Sequence, residues 1–312
     1  TGRAKSQFYH FPSQCTNWGL VRSDAATNVC ENPYPQGSPS SFGYTSTGQG
    51  VDFVISDTGL QVDHPEFLDK NGVSRVQQID WYAATGIPGT MPPTFYTDNY
   101  GHGTHVAGTV AGFVFGWAKD ANVYVMTVSG LAAYPTVGID EYVTFDLLKA
   151  WHTNKPIDNN TGFKRPTVVN MSWGYSGVTP AWSNLSGGVY RGVPWNYVYG
   201  PSPTQPQMQE MLVNYGYYGQ SYYPVRVASI DIAVQECIDA GIFFAGAAGN
   251  DTAYTDVPGG IDYDNSFHTV DNATPRYYMR GSSPAAAPGV LTVGAISCDY
   301  WVGTEGVADF SN

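Results

Sequence analysis

The chain has 312 residues, enough for one large domain or two, and its 42% hydrophobic content is ordinary for a globular protein. Charged residues make up only 13% and the formal net charge is −12, which argues against a nucleic-acid partner and suits saline or extracellular surroundings. No apolar run reaches transmembrane length, so no membrane partner is expected, and no charged-then-apolar signal segment opens the chain, which begins as a mature or trimmed product would.

Residues 1–47 carry little periodicity and many Ser, Pro, Asn and Gly, and read as an extended N-terminal arm lying over a core made elsewhere. Cys15 and Cys30 fall in this arm, where an oxidising compartment would allow a bridge between them. The first strong strand is Val51–Ser56, introduced by Gly48-Gln49-Gly50 and ending in Asp57-Thr58-Gly59. A carboxylate at the C-terminal end of a buried strand, followed by glycine, occupies the site-forming edge of an open α/β sheet. Ser74–Trp81 alternates as a second strand, and a loop rich in Gly, Pro and aromatics, Ala83–Tyr100, leads to His102.

The stretch Tyr100–Gly112 sets His102 between two glycines where a loop becomes a small-residue helix. Val106 and Val110 can face a sheet, while Gly108 and Gly112 permit close packing. A first-turn histidine feels the positive end of the helix dipole, which favours the neutral imidazole that a general base needs. His102 and His105 have no third ligand cluster nearby, which argues against a metal site.

Ala121–Val128 reads as a third strand, and Ile139–His152 as a helix with Tyr142, Phe145, Leu148 and Trp151 on its apolar stripe. Pro166–Met171 is a fourth strand running into Ser172-Trp173-Gly174. Residues 175–226 form a Tyr/Pro/Gly-rich insertion, the least regular segment, whose aromatic density predicts order; because it follows Gly174 it is expected on the rim of a cleft, as specificity wall, partner surface or packed decoration. Ser229 caps a helix over Ile230–Ala240, ended by Gly241, with Ile230, Ala233, Val234, Cys237 and Ile238 as its stripe. Ile242–Ala245 is a fifth strand leading to Gly246-Ala247-Ala248-Gly249-Asn250, and Gly289–Ala295 is a sixth. Cys237 and Cys298 read as buried or free thiols rather than nucleophiles. Strands alternating with helices predict an α/β fold with a mostly parallel central sheet flanked by helices.

Taken singly, Asp57 in Asp-Thr-Gly is a turn-former and Asn250 a helix cap. Asp-Thr-Gly is also an aspartic-protease signature, with Asp251-Thr252-Ala253 as a conceivable second half, but the α/β alternation argues against that mostly β architecture. The surrounding words are more specific. They are Asp57-Thr58-Gly59-Leu60 with His64-Pro65-Glu66-Phe67, Gly101-His102-Gly103-Thr104-His105-Val106-Ala107-Gly108-Thr109, and Val169-Asn170-Met171-Ser172-Trp173-Gly174. Further on come Ala247-Ala248-Gly249-Asn250, Pro288-Gly289-Val290-Leu291-Thr292-Val293-Gly294-Ala295 and Phe310-Ser311-Asn312. In these segments and in the order Asp then His, the chain resembles the subtilase family of serine proteases, most of all its proteinase K branch. Trp18-Gly19-Leu20-Val21-Arg22 is similar to that branch's mature N-terminus.

The resemblance implies a subtilisin-like three-layer fold over residues 1–312, a single catalytic domain, and a serine endopeptidase acting on polypeptides outside the cytoplasm. It implies that His102 is the general base, Asp57 its orienting carboxylate and Asn250 the oxyanion donor. It also implies that Ser172, Trp173 and Gly174 pair with an extended substrate, and that they wall the first specificity pocket together with Ala247, Ala248 and Gly249. No cofactor is required. Calcium is a candidate structural ion, with Glu66, Asp69, Asp262 and Asp264 in oxygen-rich turns, but at the position where the proteinase K branch has an aspartate ligand this sequence has Ser297.

One part of the family pattern is missing. Subtilases carry the nucleophile in a Gly-Thr-Ser-Met-Ala segment after the Phe-Ser-Asn turn, whereas the nearest string here, Gly303-Thr304-Glu305-Gly306-Val307-Ala308, precedes that turn and has no serine. The fold is therefore expected to be incomplete at its C-terminus, with a complementary C-terminal chain carrying the serine as partner. A non-catalytic pseudoprotease, acting as a structural or binding component of a larger assembly, is the alternative.

Overall fold

The computed structural model describes residues 7–10, 41–69, 71–131, 138–217, 219, 221–299, 304–309 and 311–312. Cys15, Cys30, Trp18–Arg22 and Phe310 lie outside them. The chain divides into two compact units, one of residues 1–172, 236–244 and 297–306, the other of 173–235, 245–296 and 307–312.

In chain order the strands begin with an antiparallel pair, β1 (Gln7–His10) and β2 (Ser41–Tyr44). The first unit is built on β3 (Asp52–Asp57), β4 (Asn122–Thr127) and β5 (Thr167–Met171). β3 lies parallel to both neighbours, with Asp52 opposite Asn122 and Thr167. All six β3 residues are buried, as expected of a strand covered on both faces of a parallel sheet, with Phe53, Val54 and Ile55 as its apolar centre. With β10 (Ile242–Ala247) and β13 (Leu291–Val293) the sheet has the order β13-β10-β5-β3-β4. The mostly parallel α/β sheet expected from the sequence is thus observed.

Helices in the first unit are α1 (Trp81–Thr85), α2 (His102–Ala111) and α3 (Glu141–Asn154). α1 corrects the strand expected over Ser74–Trp81. Only Ser74 and Val76 make isolated bridges, to Leu68 and Val123, and the Asp80 side chain then accepts from the Ala83 amide and starts a helical turn. Trp81 is fully buried and donates its indole N–H to the Val125 carbonyl, so a cap and an anchor outweigh the β pattern. α3 buries Thr144, Phe145, Leu147, Leu148 and His152, while Tyr142 is 45% exposed, so the burying face is rotated from the expected stripe.

Residues 175–226 are not irregular. They hold β6 (Ser176–Val178), β7 (Leu185–Tyr190), β8 (Val193–Asn196), α4 (Gln205–Tyr215) and β9 (Tyr222–Pro224). After α5 (Ala228–Asp239), a second segment supplies β11 (Ser266–Thr269) and β12 (Arg276–Tyr277), and the two form an antiparallel sheet in the order β12-β11-β7-β8. Gly187 and Gly188 make this pairing possible, since a Cβ at either would run into backbone of β8 or β11. The core of this unit is aromatic: Trp195, Tyr217, Phe267 and Tyr278 pack with Leu185, Met211 and Met279.

α5 begins at Ala228, so Ser229 lies inside the helix rather than at its cap. The Oγ of Ser283, far away in sequence, instead takes the Val227 amide and donates to Asp231 in the first turn. The last strand pair is β14 (Ile296–Asp299) with β15 (Thr304–Val307), and β13 is shorter than the expected Gly289–Ala295.

Candidate active site

Asp57 is the last residue of β3 and His102 the first of α2, and the fold brings their side chains together: His102 Nδ1 lies 2.7 Å from Asp57 Oδ1. The carboxylate is 1% exposed, whereas the imidazole is 44% exposed. Asp57 Oδ1 also accepts the Thr58 amide at 2.7 Å. Because a carboxylate only accepts, Nδ1 carries the proton and Nε2, across the ring, is the basic nitrogen. Among the described residues the buried Asp57 Oδ2 has no hydrogen-bond partner.

Backbone permissiveness sets this contact. Gly101 precedes the helix with φ 88°, a left-handed cap without a side-chain bond. Gly103 lies against the Gly59 carbonyl where a Cβ would collide with it, and its amide donates to Thr58 Oγ1 at 3.0 Å. The helix start is thereby seated on the residues that follow β3.

The hydrogen bond to Asp57 raises the pKa of His102; partial burial opposes the rise, and the charges of Asp57 and Asp98 add to it. The helix-terminus argument favoured the neutral ring. The direct bond to a buried carboxylate reverses that direction, because it acts at contact distance.

The other residues singled out from the sequence divide between the two units. Ser172, half-buried in the first, accepts from Asn170 Nδ2 at 2.9 Å. Trp173, Gly174, Ala247, Ala248, Gly249 and Asn250 belong to the second. Gly174 packs near Ser282 and Ser283, and Trp173 makes an edge contact with Tyr175. Ala247 pairs with Val293 at the end of β10, and the Ala248 amide donates to the Val293 carbonyl. Asn250 is exposed and follows Gly249, whose φ is 119°.

Sequence reasoning assigned no role to Asn312, yet its side chain organises the loop that carries Asn250. Its Oδ1 accepts from the Asp251 and Ala253 amides at 2.9 and 2.8 Å, and its Nδ2 donates to the Ala248 carbonyl at 3.2 Å. A side chain at residue 249 would collide with the Asn312 amide, which accounts for Gly249. Asp98 was also missed, although it stands four residues before His102 in a turn-like Asp98-Asn99-Tyr100-Gly101.

The four carboxylates considered for calcium are engaged elsewhere. Glu66 Oε2 accepts from the Val114 and Phe115 amides, and Asp69 Oδ1 from those of Asn71 and Val73. Asp262 holds Arg191 through both oxygens and Asp264 pairs with Arg280. Among the described residues no three His, Cys, Asp or Glu side chains converge.

The family model described as Subtilase family matches residues 48–312. An extracellular serine proteinase of Thermus sp. (strain Rt41A) is 30% identical over 162 residues, covering 50% of this chain and 30% of the relative. The subtilisin-like proteinase Spm1 of Pyricularia oryzae is 28% identical over 287 residues, covering 90% of this chain and 36% of the relative. The chain thus spans about a third of the length of these curated relatives. Among solved structures, a cold-adapted subtilisin-like serine proteinase aligns with TM-score 0.50 and 22% identity over 95% of this chain and 68% of that one, a likeness of fold.

Proposed function

The chain belongs to the subtilase family of serine proteases, and from that membership we propose that it is the Asp-His portion of a peptide-bond hydrolase. Its nucleophilic serine is supplied by polypeptide outside residues 1–312. The observation that carries this reading is the 2.7 Å contact between a buried strand-end carboxylate and a helix-start imidazole with its second nitrogen left basic.

In this reading His102 Nε2 takes the serine hydroxyl proton as oxygen attacks the scissile carbonyl, and returns it to the leaving amine. Asp57 holds Nδ1–H and stabilises the imidazolium formed in between. Asn250 donates its amide to the tetrahedral oxyanion; loss of such a donor costs about two to three powers of ten in rate in subtilisin. Ser172, Trp173 and Gly174 offer main-chain pairing to an extended substrate, and Ala247, Ala248 and Gly249 leave space for a large apolar side chain. The reaction draws its charge stabilisation from protein groups and asks for no cofactor.

Supply of the serine by further polypeptide gains support from β13, the first strand in the sheet order, where Leu291 and Val293 are 53% and 51% exposed. An edge strand with open aliphatic side chains wants a covering element. The name of the Thermus relative and the low charge content favour a place outside the cytoplasm. Among the described residues no helix is long and apolar enough to cross a membrane.

The test is to treat the natively purified protein, with every polypeptide that accompanies it, with a fluorophosphonate probe. Labelling of a serine, together with peptide hydrolysis, both lost in His102→Ala, is the expected result. Absence of labelling in a sample whose polypeptides have all been identified by denaturing mass spectrometry would overturn the reading in favour of a non-catalytic binding component.

A further inference from the structure

The contact between Asp57 and His102 depends on two elements meeting at fixed distance: the end of β3 and the start of α2. Neither residue alone secures that meeting. One carboxylate reaches both elements. Asp98 Oδ1 accepts from Thr58 Oγ1 at 3.0 Å and from the Tyr100 and Gly101 amides at 3.2 and 2.8 Å. Its Oδ2 accepts from the Thr104 amide at 2.8 Å and from Thr104 Oγ1 at 2.7 Å. Thr58 follows Asp57 directly, and Thr104 lies in the first turn of α2.

The two threonines extend the link. Thr58 Oγ1 donates to Asp98 and accepts the Gly103 amide, the residue next to His102. Thr104 Oγ1 donates to Asp98 and accepts the Gln61 amide. The backbone also comes close here: at Gly59, with φ 132°, a Cβ would strike the Thr97 carbonyl, so residues 97 and 98 lie directly on the chain leaving β3. An aspartate that only shaped its own turn would bond residues 100 and 101 and stop there. Three of the five bonds to Asp98 instead run to Thr58 and Thr104.

We propose that Asp98 is a positioning residue for the Asp57–His102 pair, fixing strand end and helix start to one another while adding a second negative charge beside the imidazole. This rests on the peptidase reading only for its relevance to catalysis; the geometry is independent of it. Burial works against ionisation of Asp98, but the bonds from Thr104, Gly101 and Thr58 outweigh it and hold the carboxyl below its ordinary range, so it is charged at neutral pH. Among the described residues the titratable groups facing His102 are Asp57, in contact, and Asp98; the Tyr100 ring lies 6.4 Å away.

The experiment is an NMR titration of the labelled His102 ring, assigned with His102→Gln, in the otherwise unaltered protein and in Asp98→Asn and Thr58→Val. Asp98→Asn keeps an acceptor but removes the charge, and is expected to lower the His102 pKa by about 0.5 to 1. Thr58→Val keeps the charge but breaks the bridge to β3, and is expected to speed hydrogen exchange of the Thr104 amide, which bonds Asp98 and not Thr58, about tenfold or more. An Asp98→Asn protein whose His102 titrates as in the parent, or a Thr58→Val protein with parental exchange at Thr104, overturns the proposal. Neither readout uses substrate, so a protein that never cleaves peptide would overturn the peptidase reading and leave this result standing.

Discussion

At His102 two local influences oppose one another, the helix start favouring a neutral ring and the Asp57 carboxylate a charged one, and the carboxylate wins because it bonds the ring directly. A folded-state pKa above the ordinary value of 6.5 has a definite consequence for stability. The contribution of the pair is fully present below the unfolded value and is lost as pH rises through the folded one. Urea midpoints of the parent and of His102→Gln should therefore differ most near pH 5 and converge by about pH 9. A gap that widens towards alkaline pH would contradict this assignment. At this scale the sequence was informative wherever a residue type and its neighbours formed a word, as at Asp57 and His102. It was silent on Asp98 and Asn312, because an Asp or Asn in a turn looks the same whether its oxygens bond its own loop or a distant one.

Elements followed from sequence wherever burial on both faces or a clear helical period existed, as in β3, β5 and α3. The reading failed where a local pattern had two uses. Trp81 alternates as a strand residue would, yet Asp80 caps a helix there and the indole is anchored on β4. Residues 175–226 read as irregular because their strands are short and their core is built from aromatics that also occur in loops. Their partners, β11 and β12, come from a segment about eighty residues further on. The sheet is held by that aromatic core. Phe267 is fully buried, with the Tyr217, Tyr223 and Tyr278 rings around it. Phe267→Ala should cost about 3–5 kcal/mol in urea unfolding and reduce near-UV circular dichroism. A loss below about 1 kcal/mol would show that the cluster collapses around the vacancy.

Across the molecule, each unit has its own core, one mixing aliphatic residues such as Val54, Ile55 and Val125 with buried Trp81, Phe145 and Phe244, the other dominated by the aromatic cluster around Phe267. Cys237 reports on the first. Its Sγ lies 3.3 Å from the Phe145 carbonyl, the side chain is fully buried, and burial pushes the thiol pKa up to about 12. Alkylation of Cys237, followed by peptide mapping, should be negligible in the folded protein and should rise with the unfolding transition. Rapid labelling under native conditions would place the thiol in a locally opening segment. The sequence by itself determined the family, the α/β class, where β3, β4, β5 and β10 fall along the chain and the residues of the Asp-His pair, because these depend on contiguous words and on burial patterns that repeat along the chain. Only the tertiary structure decided which oxygens hold the strand end to the helix start, how Asn312 organises the loop before it, and that two distant segments close one sheet. Those are contacts between residues far apart in the chain, and their partners are chosen by where the fold brings backbone amides and carboxylates within hydrogen-bonding reach.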